Sequence, residues 1–382
     1  MFLKFIIFTT FCSFTYSLPD LARLIRKNGY PAETHTATTE DGYIVTMHRI
    51  PHGKNSTVSG SPVLLTHGLG ASSADYVNSG PGKGLGYVLA DAGYDVWMGN
   101  ARGNSYSMKH VSLDPKKDAQ QFYNFSWHEI GYYDFPAQID HILNKTSQES
   151  LYYIGHSQGG TAYFVLTSQR TEYNKKIKLA SLLASSGIMQ HENIMLEFIS
   201  YFIEPLETLG NSLRIYSLPY PELLRFFLSE FCMVQEDICF FVYNMIVGYD
   251  DSAQFNMTML PGIFKTTPSA FPLKSLYHYG QLIKSGEFKQ YDFGSEENMI
   301  QYGSEKPPVY DFANITAPTA FYYGKNDMII GTKDIDTMSS LIPNLAGKFM
   351  VKWDKWNHMD FLYAIDVVEL LYNDLINLMK KY

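Results

Sequence analysis

The hydrophobic positions in the first half of the chain fall into short apolar runs separated by longer amphipathic stretches. Runs with the length of buried strands lie at 62–66, 94–98, 151–154 and 178–184. Helical patterns separate them, over 87–92, 136–144 and 161–170. An earlier hairpin is predicted over 35–50 with its turn at Asp41 and Gly42, and Asp134 is predicted to cap the second helix. Strands that alternate with helices indicate an α/β fold with a mostly parallel sheet covered on both faces.

The pattern changes after Gly187. Over 188–311 the chain no longer alternates strand with helix. It is apolar nearly all round over 194–203 and rich in phenylalanine over 226–249. We interpret this stretch as a mostly helical insertion.

The alternating pattern resumes after the insertion. Strands are predicted at 318–323 and 348–353, and an amphipathic helix over 360–380 closes the chain. The predicted organisation is a signal peptide, the first part of an α/β core, the insertion and the second part of the core, at 1–17, 18–187, 188–311 and 312–382.

The first 17 residues have the features of a secretory signal. Lys4 supplies positive charge, and the apolar run 5–14 is shorter than the roughly 20 residues that a spanning helix needs. Small residues at 15–17 offer a cleavage site. Since no later stretch is long and apolar enough to span a membrane, we expect a soluble mature protein in the secretory pathway.

Composition narrows the possible partners. Of 382 residues, 46% are hydrophobic and 18% charged, which is typical of a globular protein. The net charge of −8 argues against nucleic acid, because phosphate binding needs a basic surface. The 29 Tyr and 25 Phe suit a protein that handles apolar ligands. No cluster has metal-ligand spacing, so neither a metal nor an organic cofactor is expected.

Cysteine use agrees with a secretory location. Cys12 leaves with the signal, and Cys232 and Cys239 remain, an even count that favours a disulfide over the alternative of two buried free thiols. Seven residues of helix span about 10 Å, whereas a disulfide needs Cα atoms within about 7 Å. A bond would therefore exclude a straight helix between them. Glycosylation sequons begin at Asn55, Asn124, Asn144, Asn256 and Asn314.

Residues 153–160, with the sequence YIGHSQGG, carry the candidate chemistry. They read as a strand end, a sharp turn and a helix start, with Ser157 between Gly155 and Gly159. A nucleophilic serine on a strained turn needs residues without a Cβ two positions to either side, and the N-terminus of the following helix favours developing negative charge. The alternative is an ordinary strand–helix connection that happens to contain this serine.

A serine nucleophile needs a base and an acid that orients the base. In folds with this turn, the chain order is serine, acid and histidine. Asp327 follows the predicted strand 318–323, and His358 then comes after it, just beyond the last strand. Asp354 and Asp360 are too close to His358 in sequence to be preferred.

An oxyanion hole needs two backbone N–H donors. One is expected from Gln158, the residue after the nucleophile. The other is expected from Leu69, in the loop that follows strand 62–66. The alternative for that loop is an ordinary strand-ending turn.

Several stretches along the chain carry recognisable motifs, at 39–43, 67–69, 91–104, 155–159, 278–281, 322–327 and 357–361. Together they resemble the motifs of the acid lipases, the family of gastric and lysosomal lipases and their insect relatives. The resemblance implies an α/β-hydrolase core with a helical cap, a disulfide in the cap, and secreted or lysosomal hydrolysis of triacylglycerol or cholesteryl esters at a lipid–water interface. A soluble carboxylesterase, or a lipid carrier on a lipase scaffold, is the alternative.

The chain departs from the family pattern at three places. Gly160 stands where relatives carry Thr or Ser, which is expected to loosen the first helical turn. The stretch 184–187 replaces one that contains proline, and Met328 stands where an aromatic residue is common. None of these removes a catalytic group.

Overall fold

A computed structural model describes residues 18–191, 194–218, 229–247 and 253–382. Within these residues, eight strands form the main sheet and two short ones form a separate pair. The strands are β1 (Glu33–Thr38), β2 (Ile44–Ile50), β3 (Pro62–Thr66), β4 (Asp95–Gly99), β5 (Leu151–His156), β6 (Ile177–Leu183), β7 (Ser217–Leu218), β8 (Phe271–Pro272), β9 (Thr319–Tyr323) and β10 (Leu345–Met350). The predicted signal peptide lies outside the described residues.

The main sheet has the order β1–β2–β4–β3–β5–β6–β9–β10. β2 is antiparallel to β1 and to β4. The remaining strands of this sheet, β4, β3, β5, β6, β9 and β10, are parallel to each other. Every residue of β3, β4 and β5 is buried, as expected for parallel strands covered on both faces. The predicted hairpin and mostly parallel sheet are confirmed.

Helices cover the sheet, and helices also make up most of the described region between β6 and β9. The described α-helices are α1 (Leu21–Lys27), α2 (Leu85–Asp91), α3 (Ala119–Phe122), α4 (Trp127–Glu129), α5 (Phe135–Thr146), α6 (Gln158–Gln169), α7 (Ile194–Ser200), α8 (Ile203–Ser212), α9 (Glu236–Val247), α10 (Leu260–Ile263), α11 (Leu273–Ser285), α12 (Ser295–Tyr302), α13 (Thr332–Leu341), α14 (Asp360–Tyr363) and α15 (Asn373–Met379). The helices α7 to α12 all lie between β6 and β9, so the described part of that region is mainly helical. None of the described helices is long and apolar enough to cross a membrane.

The prediction that Asp134 caps a helix is wrong. Its backbone is helical, and a π-helical turn, Ile130–Asp134, joins α4 directly to α5. The Asp134 carboxylate accepts hydrogen bonds from the backbone N–H and from Nε of Arg102, at 2.8 and 2.7 Å. Arg102 also donates to Asp41. Since Arg102 and Asp134 are both buried, each charge needs the other, and this requirement outweighs the capping preference of Asp134.

The predicted closing helix over 360–380 is interrupted. After α14 the backbone of Ala364 is extended and forms an antiparallel bridge with Phe255. The next N–H groups, of Ile365 and Asp366, donate to the backbone and side-chain oxygens of Gln254 at 2.6 and 3.0 Å. Gln254 and Phe255, between β6 and β9, thus offer partners that compete with the helix, a long-range effect that periodicity does not contain.

The described part of the phenylalanine-rich run contains the disulfide. Cys232 and Cys239 are bonded with their Cα atoms 5.5 Å apart. Residues 229–232 are helical, the chain is not helical over 233–235, and α9 then begins at Glu236. The disulfide and the exclusion of a straight helix are both confirmed. Phe240 packs against the core and its ring stacks on Phe255, whereas Phe241 is 65% exposed. Phe226, Phe227 and Tyr249 lie outside the described residues.

Candidate active site

Ser157 lies at the junction of β5 and α6. Its φ is +52°, a conformation that costs a non-glycine residue roughly 1–3 kcal/mol unless the surroundings enforce it. The Ser157 N–H donates to the carbonyl of Leu183 on β6 at 2.9 Å, and its own carbonyl accepts the N–H of Gly160 at 2.9 Å. The neighbouring strand and the first turn of α6 therefore hold the strained backbone from both sides.

The glycines around Ser157 are required by close backbone approach. A Cβ on Gly159 would lie 2.4 Å from the carbonyl oxygen of Thr66, and a Cβ on Gly155 would lie 2.9 Å from the backbone of Gly159. A Cβ on Gly160 would lie 2.0 Å from Oγ of Ser185. Ser185 thus fills the space that a side chain on Gly160 would need.

Asp327 and His358 are brought together from loops that follow adjacent strands, β9 and β10. Nδ1 of His358 hydrogen-bonds Oδ2 of Asp327 at 2.9 Å, and both side chains are buried. The other carboxylate oxygen accepts the N–H groups of Ile329 and Ile330 at 2.8 and 3.0 Å. The acid is therefore fixed by the backbone, and it orients the imidazole so that Nε2 is left for a reacting group.

His156 connects this pair to the serine and was missed by the sequence reasoning. Its Nε2 donates to the carbonyl oxygen of His358 at 3.0 Å. Burial lowers the pKa of His156 to about 3, so this donor stays neutral. The residue directly before the serine thus holds the backbone of the candidate base. The only signal was its place inside the G-x-S-x-G motif.

The loop after β3 passes beside Ser157. A Cβ on Gly68 would lie 3.0 Å from Cβ and 3.5 Å from Oγ of the serine, so the peptide that includes the Leu69 N–H is close to the nucleophile. Gln158 begins α6, where the helix itself does not use the N–H. The described contacts include no hydrogen bond between the Ser157 hydroxyl and His358. Such bonds often tighten only with substrate bound.

The two less preferred acids, and another histidine that follows Ser157 in the chain, have different roles. Oδ2 of Asp360 accepts the N–H of Asn357 at 2.9 Å, and Asp354 pairs with Lys325 at the surface. His278 is buried against Trp127, and its ring nitrogens bond Ser126 and the Lys289 carbonyl. Each is held in a structural contact, which leaves Asp327 and His358 as the candidate pair.

A parallel sheet with a strained serine turn after β5, an acid after β9 and a histidine after β10 defines the α/β-hydrolase class. Two family profiles match the chain. One, described as a partial alpha/beta-hydrolase lipase region, covers residues 21–80. The other, described as the alpha/beta hydrolase fold, covers residues 61–216.

Relatives that match most of the chain identify the family within this class. Lipase 1 of Drosophila melanogaster is 41% identical over 94% of this chain and 79% of its own. The lysosomal acid lipase/cholesteryl ester hydrolase of Macaca fascicularis is 34% identical over 95% and 91%, and the gastric triacylglycerol lipase of Rattus norvegicus is 34% identical over 94% and 91%. The chain belongs to this family of α/β-hydrolase lipases, and it is an ester hydrolase.

Solved structures agree on the fold. A proposed lipase from Sulfolobus solfataricus superposes with a TM-score of 0.59 at 16% identity, covering 92% of this chain and 95% of that one. Identity at this level supports the α/β-hydrolase fold alone.

The close approach at Gly159 generates a test. We expect Gly159→Ala to destabilise the protein by about 1–3 kcal/mol and to lower ester hydrolysis, because its Cβ would collide with the Thr66 carbonyl of β3. Urea unfolding and turnover of a soluble ester measure both. Gly262→Ala is the control, since a Cβ there meets nothing within 4 Å. Wild-type stability and turnover in Gly159→Ala would refute the packing argument.

Proposed function

We propose that the protein hydrolyses carboxylic ester bonds of neutral lipids with Ser157 as nucleophile, His358 as base and Asp327 as the acid that orients it. The observation that carries this is the buried His358–Asp327 hydrogen bond of 2.9 Å, tied through His156 to the strained turn that presents Ser157. A hydroxyl, an imidazole and a carboxylate in this order constitute a complete acyl-transfer set.

The proposed reaction has two halves. The Ser157 hydroxyl attacks the ester carbonyl carbon while Nε2 of His358 takes its proton, and the N–H groups of Leu69 and Gln158 bind the resulting oxyanion. The bond to the alcohol oxygen then breaks, and His358 gives its proton to the leaving alcohol. Water then attacks the acyl-enzyme carbonyl carbon while His358 takes its proton. The bond to the Ser157 oxygen breaks, His358 returns the proton to that oxygen, and the fatty acid leaves.

Neutral lipid is the proposed substrate class for two reasons. The full-length relatives include a cholesteryl ester hydrolase and a triacylglycerol lipase. The region between β6 and β9 also exposes large apolar side chains, among them Phe198, Tyr201, Leu213 and Phe241. Exposed apolar surface is costly in water and favourable against lipid, at roughly 25 cal/mol per Å². We assign this region, 188–311, as the cap.

A secretory route is part of the proposal. The amino-terminal segment has the features of a signal peptide, and the sequon asparagines at 55, 124, 144, 256 and 314 are all exposed. The Cys232–Cys239 disulfide also suits an oxidising compartment. The lysosomal and gastric relatives support a secreted or lysosomal destination.

Replacement of the nucleophile tests the reaction. Ser157→Ala should lower ester turnover by about 10⁴–10⁶-fold while the melting temperature is kept, because the acyl-enzyme cannot form. Ser340→Ala, at an exposed serine, is the matched control and should retain full activity. A folded Ser157→Ala protein with near-normal turnover would exclude this mechanism.

The exposed cap surface generates an interfacial prediction. Turnover of an ester should rise as its concentration passes the solubility limit, and Phe241→Ser should reduce that rise without changing stability or hydrolysis of a dissolved short ester. Phe240→Ser should instead lower the melting temperature and both activities, because Phe240 packs against the core.

Val58→Ser controls for loss of an exposed apolar side chain outside the cap. Equal losses on dissolved and emulsified ester for Phe241→Ser would contradict contact with lipid. A wild-type protein that hydrolyses only dissolved esters would indicate a carboxylesterase.

The secretory proposal is tested by expressing the complete chain in insect cells. We expect secreted protein that begins near Leu18 and loses mass on treatment with a glycosidase, as measured by intact-mass spectrometry. Protein that keeps Met1, carries no glycan and stays in the cytosol would contradict this route.

A further inference from the structure

We propose that His67 is a positioning residue that aims the Leu69 N–H at the substrate oxyanion. His67 is the first residue of the loop after β3 and is 7% exposed. It takes no part in the proposed proton transfers. This inference rests on the proposed function, in which Leu69 supplies one of the two oxyanion donors.

The hydrogen bonds of His67 fix its tautomer. Nε2 lies 3.1 Å from the backbone N–H donor of Ala101 and 3.0 Å from the side-chain Nδ2 of Asn104. Since both partners are donors, Nε2 must be the acceptor and the ring proton must be on Nδ1. Nδ1 lies 2.8 Å from the carbonyl oxygen of Gly68 and therefore donates to it.

This bond sets the direction of the peptide between Gly68 and Leu69. In a planar trans peptide the carbonyl and the following N–H point in opposite directions. Holding the Gly68 carbonyl on the His67 side therefore turns the Leu69 N–H away from it. Gly68 also packs directly against the Ser157 side chain, so a rotation of this peptide would change what the nucleophile faces.

The support behind His67 is itself rigid. Asn104 Nδ2 also bonds Oδ1 of Asn100 at 2.9 Å, and Asn100 Nδ2 donates to the Thr46 carbonyl on β2 at 3.0 Å. The same loop contains Arg102, anchored by Asp134. Burial lowers the pKa of His67, so the imidazole keeps this neutral tautomer to a lower pH than an exposed histidine would. The imidazole thus connects a fixed loop after β4 to the oxyanion loop.

The cap fixes the other end of the same loop. The backbone N–H of Ser269 donates to the Gly70 carbonyl at 2.5 Å, and a Cβ on Gly70 would lie 3.3 Å from the Phe271 ring. His67 of the core therefore holds the peptide between Gly68 and Leu69, and Ser269 of the cap holds the peptide between Gly70 and Ala71. His67 is the one whose side chain can be replaced to test the effect.

The test compares His67→Leu with His67→Asn. The two side chains have similar size, and both leave the Ala101 N–H without its imidazole partner. Only Asn retains a donor at the position of Nδ1 that can reach the Gly68 carbonyl. Steady-state hydrolysis of a soluble ester, thermal unfolding and the rate of Ser157 modification by an aryl phosphonate are measured for wild type, both variants and Ser157→Ala.

We expect His67→Leu to lower kcat by about 10–100-fold with little change in KM, because a misaligned oxyanion donor acts in the transition state. Phosphonate modification should slow in parallel, since the phosphoryl oxygen occupies the same hole. His67→Asn should recover most of kcat at a similar melting temperature.

Equal kcat in the two variants, or a loss confined to KM, would overturn the role of His67. Should the variants differ in stability alone, with kcat per folded molecule unchanged, His67 would be structural only and the inference wrong. Activity that survives in the Ser157→Ala variant would refute the proposed function instead, so the two failures are distinguishable.

Discussion

The candidate site depends on one backbone constraint, the positive φ of Ser157. Three elements around the turn maintain that conformation. β3 presents the Thr66 carbonyl to Gly159, β6 accepts the Ser157 N–H at the Leu183 carbonyl, and α6 begins immediately after the serine. Glycine is needed at position 159 because a side chain there would collide with β3. The surrounding sheet holds the backbone of Ser157 in its strained conformation.

Buried hydrogen bonds hold the other candidate catalytic residues in place relative to this turn. His156 holds the His358 backbone, and the Asp327 carboxylate that orients the imidazole is held by two N–H groups of its own loop. Arg102 and Asp134 neutralise each other and anchor the loop after β4. A buried donor or charge without a partner would cost several kcal/mol, so these contacts leave few alternative arrangements of the site.

The insertion is joined to the core at points that matter for the site. Tyr279 of α11 donates its hydroxyl to Thr161 of α6, one turn beyond Ser157, and Ser269 donates to Gly70 of the loop after β3. Gln254 pairs with Ile365 and Asp366 and interrupts the closing helix. The described part of this region therefore contacts both the helix that follows Ser157 and the candidate oxyanion loop.

The sequence by itself determined the order of the elements, since apolar runs and amphipathic periods are local properties of the chain. It also identified the serine turn from its glycines and the disulfide from the count of cysteines. It singled out Asp327 and His358 only through chain order, and their catalytic roles remain proposals. Only the tertiary structure decided that Asp134 pairs with Arg102, that Ser185 fills the space beside Gly160, and that His156 and His67 act on the backbones of other residues. Each of these depends on burial and on a partner distant in sequence, and neither quantity is encoded in a local pattern.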